Sequence, residues 1–376
     1  VVASPNTHQR SHRVIALDPA NFTSLARTPW AGTALAASIK SAFATSPLQK
    51  IGESWEISCD PEAPSRLADD PSLTLHELIQ ADPVSYLSGS LVAAGRTSCD
   101  ILVKLLNADS PLSLQIHPSD DHPALKQNEC GKPESWFVLQ AAPGAGLYLG
   151  FRDPMPLPDL QKRLESGTFQ SELLQFVPVT TGDYFEIEPH VPHAVGPGVI
   201  LLEPQRIIAG KSGKTWRLWD WNRRYNKSGA LDEHNGTPRE LHISQSMSLL
   251  HPENQSGAAY ADSLRRKAHT VTPLPGVLAH IFPANRWYQV ITLNLRAWSK
   301  IRLKPDAGYA CATILSGHGQ AQNTMQSPSP LMAGQSYFFP AASLPVEIAS
   351  REDALFMSLV IPAGMGVTNH GGQIFE

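Results

Sequence analysis

Short apolar runs punctuated by 32 prolines and 26 glycines constrain this chain of 376 residues to many short strands joined by turns. A disordered chain would lack the apolar runs, yet Ile101 to Leu106 and Val199 to Leu202 are intact. From about residue 270 onward turn signals recur roughly every ten residues, which favours a sandwich or barrel over parallel βαβ units. The length exceeds one small core and predicts two domains, with a boundary near residue 255 where Pro252 opens a polar stretch.

The formal net charge of -4 shows no basic excess, which argues against a nucleic-acid partner. Any anion must then be met by a few local Lys or Arg residues. No apolar stretch approaches the ~20 residues of a membrane helix, and Val1 to Arg13 carries no hydrophobic signal core. The sequence lacks an initiating Met and is expected to be trimmed or processed. Cys59, Cys99, Cys130 and Cys311 are scattered with no CxxC pair, so reduced thiols in a cytoplasmic protein are expected rather than a disulfide framework.

Along the chain, a helix is expected around Gly32 to Ala44, a strand over Ile51 to Ser58, and short helical turns over Thr74 to Ala81 and Pro83 to Ser88. Strands are expected at Ile101 to Leu106, Ser113 to His117 and Gly131 to Leu139. Leucines at 157, 160, 164, 173 and 174 predict one or two amphipathic helices over Pro156 to Gln175. Residues 210 to 240, with tryptophans at 216, 219 and 221, read as a long loop over a site, and Glu240 to Leu250 as a helix. In the last block Trp287 to Leu295 alternates apolar and polar, and His318 falls in a turn with no ligand-type pair around it, so no second metal is expected there. Gly182 to Pro189 and Gly334 to Pro340 share a texture that hints at two related β-domains.

In Ser113-Leu114-Gln115-Ile116-His117-Pro118, period-two geometry puts Gln115 and His117 on one face of a strand. Taken alone, a Gln and a His on a wet sheet face explain that run as well. Two further segments add to it. Glu134 opens a strand after Lys132-Pro133, and His193 stands before Ala194-Val195-Gly196, next to a glycine turn. Two nitrogens and two oxygens with no thiolate suit a catalytic metal with an open position, zinc first. His190, between prolines at a loop tip, is left out of the set.

Leu102 to Leu139, with its QIH and KPE runs, resembles the type I mannose-6-phosphate isomerases. So do IGESWEIS at 51 to 58 and GDYFEIEPHVPHAVGPGVILLEPQ at 182 to 205, while WRLWDWNR at 216 to 223 and PRELHI at 238 to 243 look like its bacterial branch. The resemblance covers most of residues 25 to 250 and continues more weakly beyond. It implies a mainly β fold of two cupin (jelly-roll β-barrel) domains with a helical insertion: a catalytic unit over 1–255, helical at about 156–175 and 240–250, and a cupin-like β unit over 256–376. It implies interconversion of mannose 6-phosphate and fructose 6-phosphate by a monomer or weak homo-oligomer holding one Zn2+ or another divalent ion. The family's ligands fall on Gln115, His117, Glu134 and His193, and its active-site residues on Lys104, Lys132, Arg217 and Glu203. Departures are Trp30-Ala31-Gly32 where the family has Trp-Gly-Gly, and a longer stretch between Glu203 and Arg217.

Aldose–ketose isomerisation through a cis-enediolate needs charge stabilisation on oxygen, a base beside the C–H and a phosphate anchor. Arg217 is the expected anchor, since a guanidinium holds two phosphate oxygens at once; cation–π packing among the tryptophans is its structural alternative. Lys104 and Lys132 are expected to share anchoring or proton transfer, a nearby metal lowering the pKa of Lys132. Glu203 is the rival base. Lys104 also reads as a strand-end lysine reaching water, and Glu203 as a structural hydrogen-bond acceptor. The competing functions are a non-catalytic sugar-phosphate-binding cupin and an isomerase of a different phosphosugar.

Overall fold

The computed structural model describes residues 10–304, 308–324, 327–363 and 374–375. Most of Val1 to Arg13, read above for a signal core, lies outside them. Strands dominate the described residues, in two large and several smaller sheets. A six-stranded antiparallel sheet runs in the order Arg265–Arg266, Tyr184–Ile187, Glu134–Ala141, Val199–Arg206, Ile101–Ala108, Glu53–Ile57. A five-stranded sheet runs Trp216–Trp219, Leu114–Ile116, His193–Val195, Gly146–Phe151, Leu174–Pro178. The later residues form a seven-stranded sheet and a four-stranded one.

These sheets stack in layers, each interface filled by its own apolar cluster. Leu106, Trp136, Val138 and Leu201 of the six-stranded sheet meet Leu147, Leu149 and Val195 of the five-stranded one. On its other face Val103, Leu105, Ile200 and Leu202 pack against Val290, Cys311, Phe338 and Val360 of the seven-stranded sheet. Ile291, Leu293, Ile314 and Met357 then face Ile301, Leu331 and Ile348 of the four-stranded sheet. Each fully buried side chain of this kind contributes about 1.5–3 kcal/mol, so the interfaces hold the layers together. The outer face of the five-stranded sheet is covered by Leu160 and Leu164 from the helix Leu157–Glu165 and by Leu249 and Leu250 from the turn after Met247. No helix among the described residues is long and apolar enough to cross a membrane.

Layering explains where hydropathy patterns misled. Tyr288–Leu295 alternates in sequence yet is buried on both faces apart from Asn294, because sheets cover it on each side. The outermost sheet shows clean alternation: in Lys300–Leu303, Lys300 and Arg302 are exposed and Ile301 and Leu303 buried. The helix expected over 32–44 is a single turn, Ala34–Ala37, because the chain bends at Ser38 to carry Lys40 inward to the carbonyls of Pro19 and Gly334. The helix expected over 240–250 is only Ile243–Met247, because the His242 N–H is drawn to the Arg217 carbonyl at 2.7 Å. Over 156–175, Leu157–Glu165 is helical and Leu174 already begins a strand. The tryptophan run is part strand, Trp216–Trp219, and His318 opens the strand His318–Gln322 beyond the Gly317 turn. One strand gave no recognisable signal: Ile15–Ala16 pairs with Phe338 and Tyr337 at the edge of the seven-stranded sheet.

Candidate metal centre

Period-two geometry aims a set of polar side chains into the space between the six- and five-stranded sheets. In Ile101–Ala108, Leu106 faces that space and so does Lys104; in Val199–Arg206, Leu201 does and so do Glu203 and Gln205; Glu134 shares a face with Trp136 and Val138. From the opposite sheet His193 pairs in register with Gln115, and Gln115 with Arg217. His117 follows two residues after Gln115 on the same strand direction.

His117, Glu134 and His193 come together almost wholly buried, at 0%, 3% and 2% exposure, with one potential ligand atom from each within 4.8 Å of the others. The imidazole centroids are 4.7 Å apart. His117 Nε2 lies 3.4 Å from Glu134 Oε2, and His193 Nε2 lies 3.5 Å from Glu134 Oε1. Ligands bonded at ~2.1 Å around a tetrahedral ion stand ~3.4 Å apart, so the spacing fits one divalent cation. Gln115, next to His193 in register, borders the adjoining cavity.

The hydrogen bonds fix which nitrogen faces the cluster. His117 Nδ1 donates to the Lys214 carbonyl at 3.0 Å and His193 Nδ1 to the Val191 carbonyl at 2.8 Å. A carbonyl only accepts, so each Nδ1 carries its proton and each neutral ring turns an Nε2 lone pair inward. Burial, aided by Lys132, lowers the His117 pKa, and burial with His117 pushes His193 down to about 3. Both rings are therefore neutral at physiological pH. His117 Nε2 is buried without a hydrogen-bond partner. Lone pairs facing a carboxylate at such distances call for a cation between them, and the donor set supplies its ligands.

Around the triad lies a network of lysines, carboxylates and one amide. Lys132 Nζ is 3.0 Å from Glu134 Oε2, and Lys104 Nζ is 3.7 Å from Glu203 Oε1. Gln205 Nε2 donates to Glu134 Oε2 at 3.0 Å and also to Glu203 Oε1, while Trp136 Nε1 donates to Glu203 Oε2 at 3.0 Å. Burial alone would raise the Glu134 carboxyl, but Lys132 and His117 hold it well below the usual range. Burial and Glu134 push Glu203 up to about 7. Burial opposes the charge on Lys132, yet Glu134 and Glu203 raise its pKa, so the protein without metal keeps this lysine charged. Lys104 is no strand-end lysine: it sits mid-strand at 4% exposure with Nζ 4.4 Å over the Trp55 ring.

A cavity of about 290 Å³ opens beside the triad, at the small end of the range for ligand pockets. Lys104, Gln115, Lys132, Gln205 and Arg217 are on its wall; Glu203 is not among the lining residues. Arg217 makes no cation–π contact with the tryptophans among the described residues. Its Nε donates to Ser113 Oγ at 3.2 Å and its Nη1 to the Glu240 carbonyl at 2.9 Å. Glu53, Gln205 and Arg239 on the wall, and Asp220 bonded to Arg239, were missed as site neighbours, although all four stand inside the runs quoted above.

Asp220 is the anchor of the cationic end. It accepts from Arg223 Nη2 at 2.6 Å and from Arg239 Nε and Nη2 at 2.7 Å each. Burial alone would raise its pKa, but Arg239 and Arg223 outweigh that and hold it below its ordinary value. A depressed carboxylate adds stability that is complete above the unfolded value of about 3.9 and is lost as pH falls through the folded value. Asp220→Asn should therefore flatten the fall in stability below about pH 4, read from urea unfolding across pH; an unchanged slope would remove this role.

A family model for the type I phosphomannose isomerase catalytic domain matches residues 23–134. A mannose-6-phosphate isomerase of Streptococcus mutans is 27% identical over 278 residues, 73% of this chain and 78% of the relative. One of Bacillus subtilis is 31% identical over 224 residues, 59% of this chain and 64% of the relative, so that alignment spans slightly less than two thirds of its length. A crystal structure of mannose 6-phosphate isomerase from Bacillus subtilis superposes with a TM-score of 0.72 at 23% identity, covering 92% of this chain and 99% of that one. Another mannose 6-phosphate isomerase structure, bound with zinc and yttrium, gives 0.67 at 18% identity over 93% and 99%.

Proposed function

Because the chain belongs to the type I phosphomannose isomerase family, we propose that it interconverts mannose 6-phosphate and fructose 6-phosphate in the cavity beside the His117–Glu134–His193 cluster. The observation that carries this is the pair of inward Nε2 lone pairs facing the Glu134 carboxylate, next to a cavity walled by lysine and arginine. The ion we assign there is Zn2+, with Gln115 as the fourth protein ligand; the nitrogen and oxygen donors suit it, and a structural neighbour was solved with zinc. When bound, it supplies a Lewis acid for the O1/O2 edge of the sugar.

The chain's own residues do the rest. Arg217, fixed by Ser113 and the Glu240 carbonyl, holds the phosphate, and Lys104 adds positive charge on the same wall. Lys132 is on the cavity wall while Glu203 is not, so we assign the proton moved between C1 and C2 to Lys132. With Glu134 engaged as a ligand, Lys132 would lose the strongest support for its charge, which would favour its neutral, basic form. Glu203, its carboxyl pushed up to about 7 by burial and by Glu134, is placed to take up a proton and balance that loss of charge.

For the fold we propose two cupin barrels, one from the five- and six-stranded sheets and one from the seven- and four-stranded sheets, dividing the chain near residue 255. Each then lends the other a strand, Arg265–Arg266 in one direction and Ile15–Ala16 in the other. We place this enzyme in the cytoplasm, where its four buried thiols stay reduced, as a monomer or weak homo-oligomer. A coupled assay tests the function: mannose 6-phosphate should be turned over, the activity should vanish on chelation, and zinc should restore it. Zinc-loaded protein that binds the sugar phosphate without converting it would overturn the proposal.

A further inference from the structure

Besides Arg27, Arg206 and Arg217, the cavity wall carries the guanidinium of Arg239, which lies near Arg217. It is held more firmly than a surface arginine. Nε and Nη2 form a two-point contact with Asp220, and Cζ lies 5.4 Å over the Tyr225 ring. Tyr225 is itself tied to Thr237, two residues before Arg239, by paired backbone hydrogen bonds of 2.9 Å. The side chain is 20% exposed and that of Asp220 is 5% exposed. Bidentate pairing and stacking together spend its rotamer freedom in advance, which is the condition for tight recognition of an anion.

Charge and open donors agree. Asp220 serves both Arg223 and Arg239, so one carboxylate faces two guanidinia, and Arg217 bonds only neutral groups among the described residues. Arg217, Arg223 and Arg239 outnumber the buried Asp220 by two, with only the exposed Glu240 as a further acid beside Arg217, a surplus that suits a phosphate monoester of about −1.5 to −2. Nη1 of Arg239 and Nη2 of Arg217 donate to no protein acceptor among the described residues.

We propose that Arg239 is a second phosphate-binding residue, closing a two-arginine clamp with Arg217, and that Asp220 is its positioning residue. This rests on the isomerase reading for the identity of the substrate, but not for the anion. The test uses the full, zinc-loaded chain and two readouts: kinetics with mannose 6-phosphate, and titration calorimetry with inorganic phosphate, which needs no turnover. Arg239→Gln should raise both KM and the phosphate dissociation constant on the order of tenfold to a hundredfold while kcat stays within about threefold. Arg239→Lys, keeping charge but not the fork, should recover part of the loss. If Arg239→Gln lowers the thermal midpoint, the comparison is read from Arg239→Lys. Weakened phosphate binding supports the clamp even in a protein that fails to isomerise mannose 6-phosphate. Normal turnover with unchanged phosphate binding in both variants overturns the clamp and leaves the isomerase assignment standing.

Discussion

His193→Ala should strip the protein of its bound divalent ion and lower turnover by about a thousandfold or more. The metal is assigned the stabilisation of charge on the O1/O2 edge, a contribution of several kcal/mol, and each 1.36 kcal/mol is a factor of ten in rate. His193 is the sharper choice within the triad because its removal adds no unpaired charge: the ring is neutral, its pKa pushed down to about 3 by burial and by His117. It is also less entangled than Glu134, which holds Lys132 and Gln205 as well; like His117 it anchors one backbone carbonyl, that of Val191. The alanine leaves a small void against Trp136, whose ring centroid stands 5.3 Å from that of His193, so some loss of stability is expected too. Elemental analysis beside the kinetics separates the two effects. A folded His193→Ala protein that keeps a full equivalent of metal and its turnover would remove the proposed centre.

The positions that sequence spacing singled out, His117, Glu134 and His193, are brought together because each lies on a strand whose alternation aims it inward. Period two is visible in a sequence; the distance between sheets is not. Lys104 shows the limit. Its strand reads LVKLL, and only the neighbouring strands of the same sheet, which set Trp55 and Glu203 opposite it, give this lysine partners other than water. Arg239 was harder still. Its place depends on Asp220, 19 residues earlier, and on a loop that brings Tyr225 between them. The same holds for the helices drawn too long at 32–44 and 240–250. Local propensity favoured them, and tertiary partners, the carbonyls that take Lys40 and the strand that takes His242, overrode it. Tyr288–Leu295 is the strand its alternation predicts, and what the alternation leaves open is that a second sheet also covers the polar face.

Lys40→Met should cost about 3–5 kcal/mol of stability, the usual cost of breaking a buried ion pair from one side. Lys40 is fully buried, and Glu56 is 2% exposed. The ammonium forms an ion pair with Glu56 Oε1 at 2.6 Å and donates to the carbonyls of Gly334 at 2.7 Å and Pro19 at 2.9 Å. Burial lowers its pKa and Glu56 pulls it back, so the charge depends on its partner. Glu56 also accepts from Ser336 Oγ at 2.7 Å, in the strand next to the edge strand of the seven-stranded sheet. The pair therefore pins the first layers to the later ones. Gly334 fits the pin closely, since its φ is +79° and a Cβ there would stand 2.2 Å from the Ile39 carbonyl oxygen. Methionine fills the volume of lysine but leaves Glu56 charged and unpaired in the core. The decisive comparison is Lys40→Met with Lys40→Met/Glu56→Gln. The second change removes the stranded charge and keeps an acceptor for Ser336, so it should recover at least half of the loss in the denaturant midpoint. If the single variant unfolds at the wild-type midpoint, the pair is no tie between the layers; if the double variant is worse than the single, the cost lies in the orphaned carbonyls of Pro19 and Gly334 rather than in the charge.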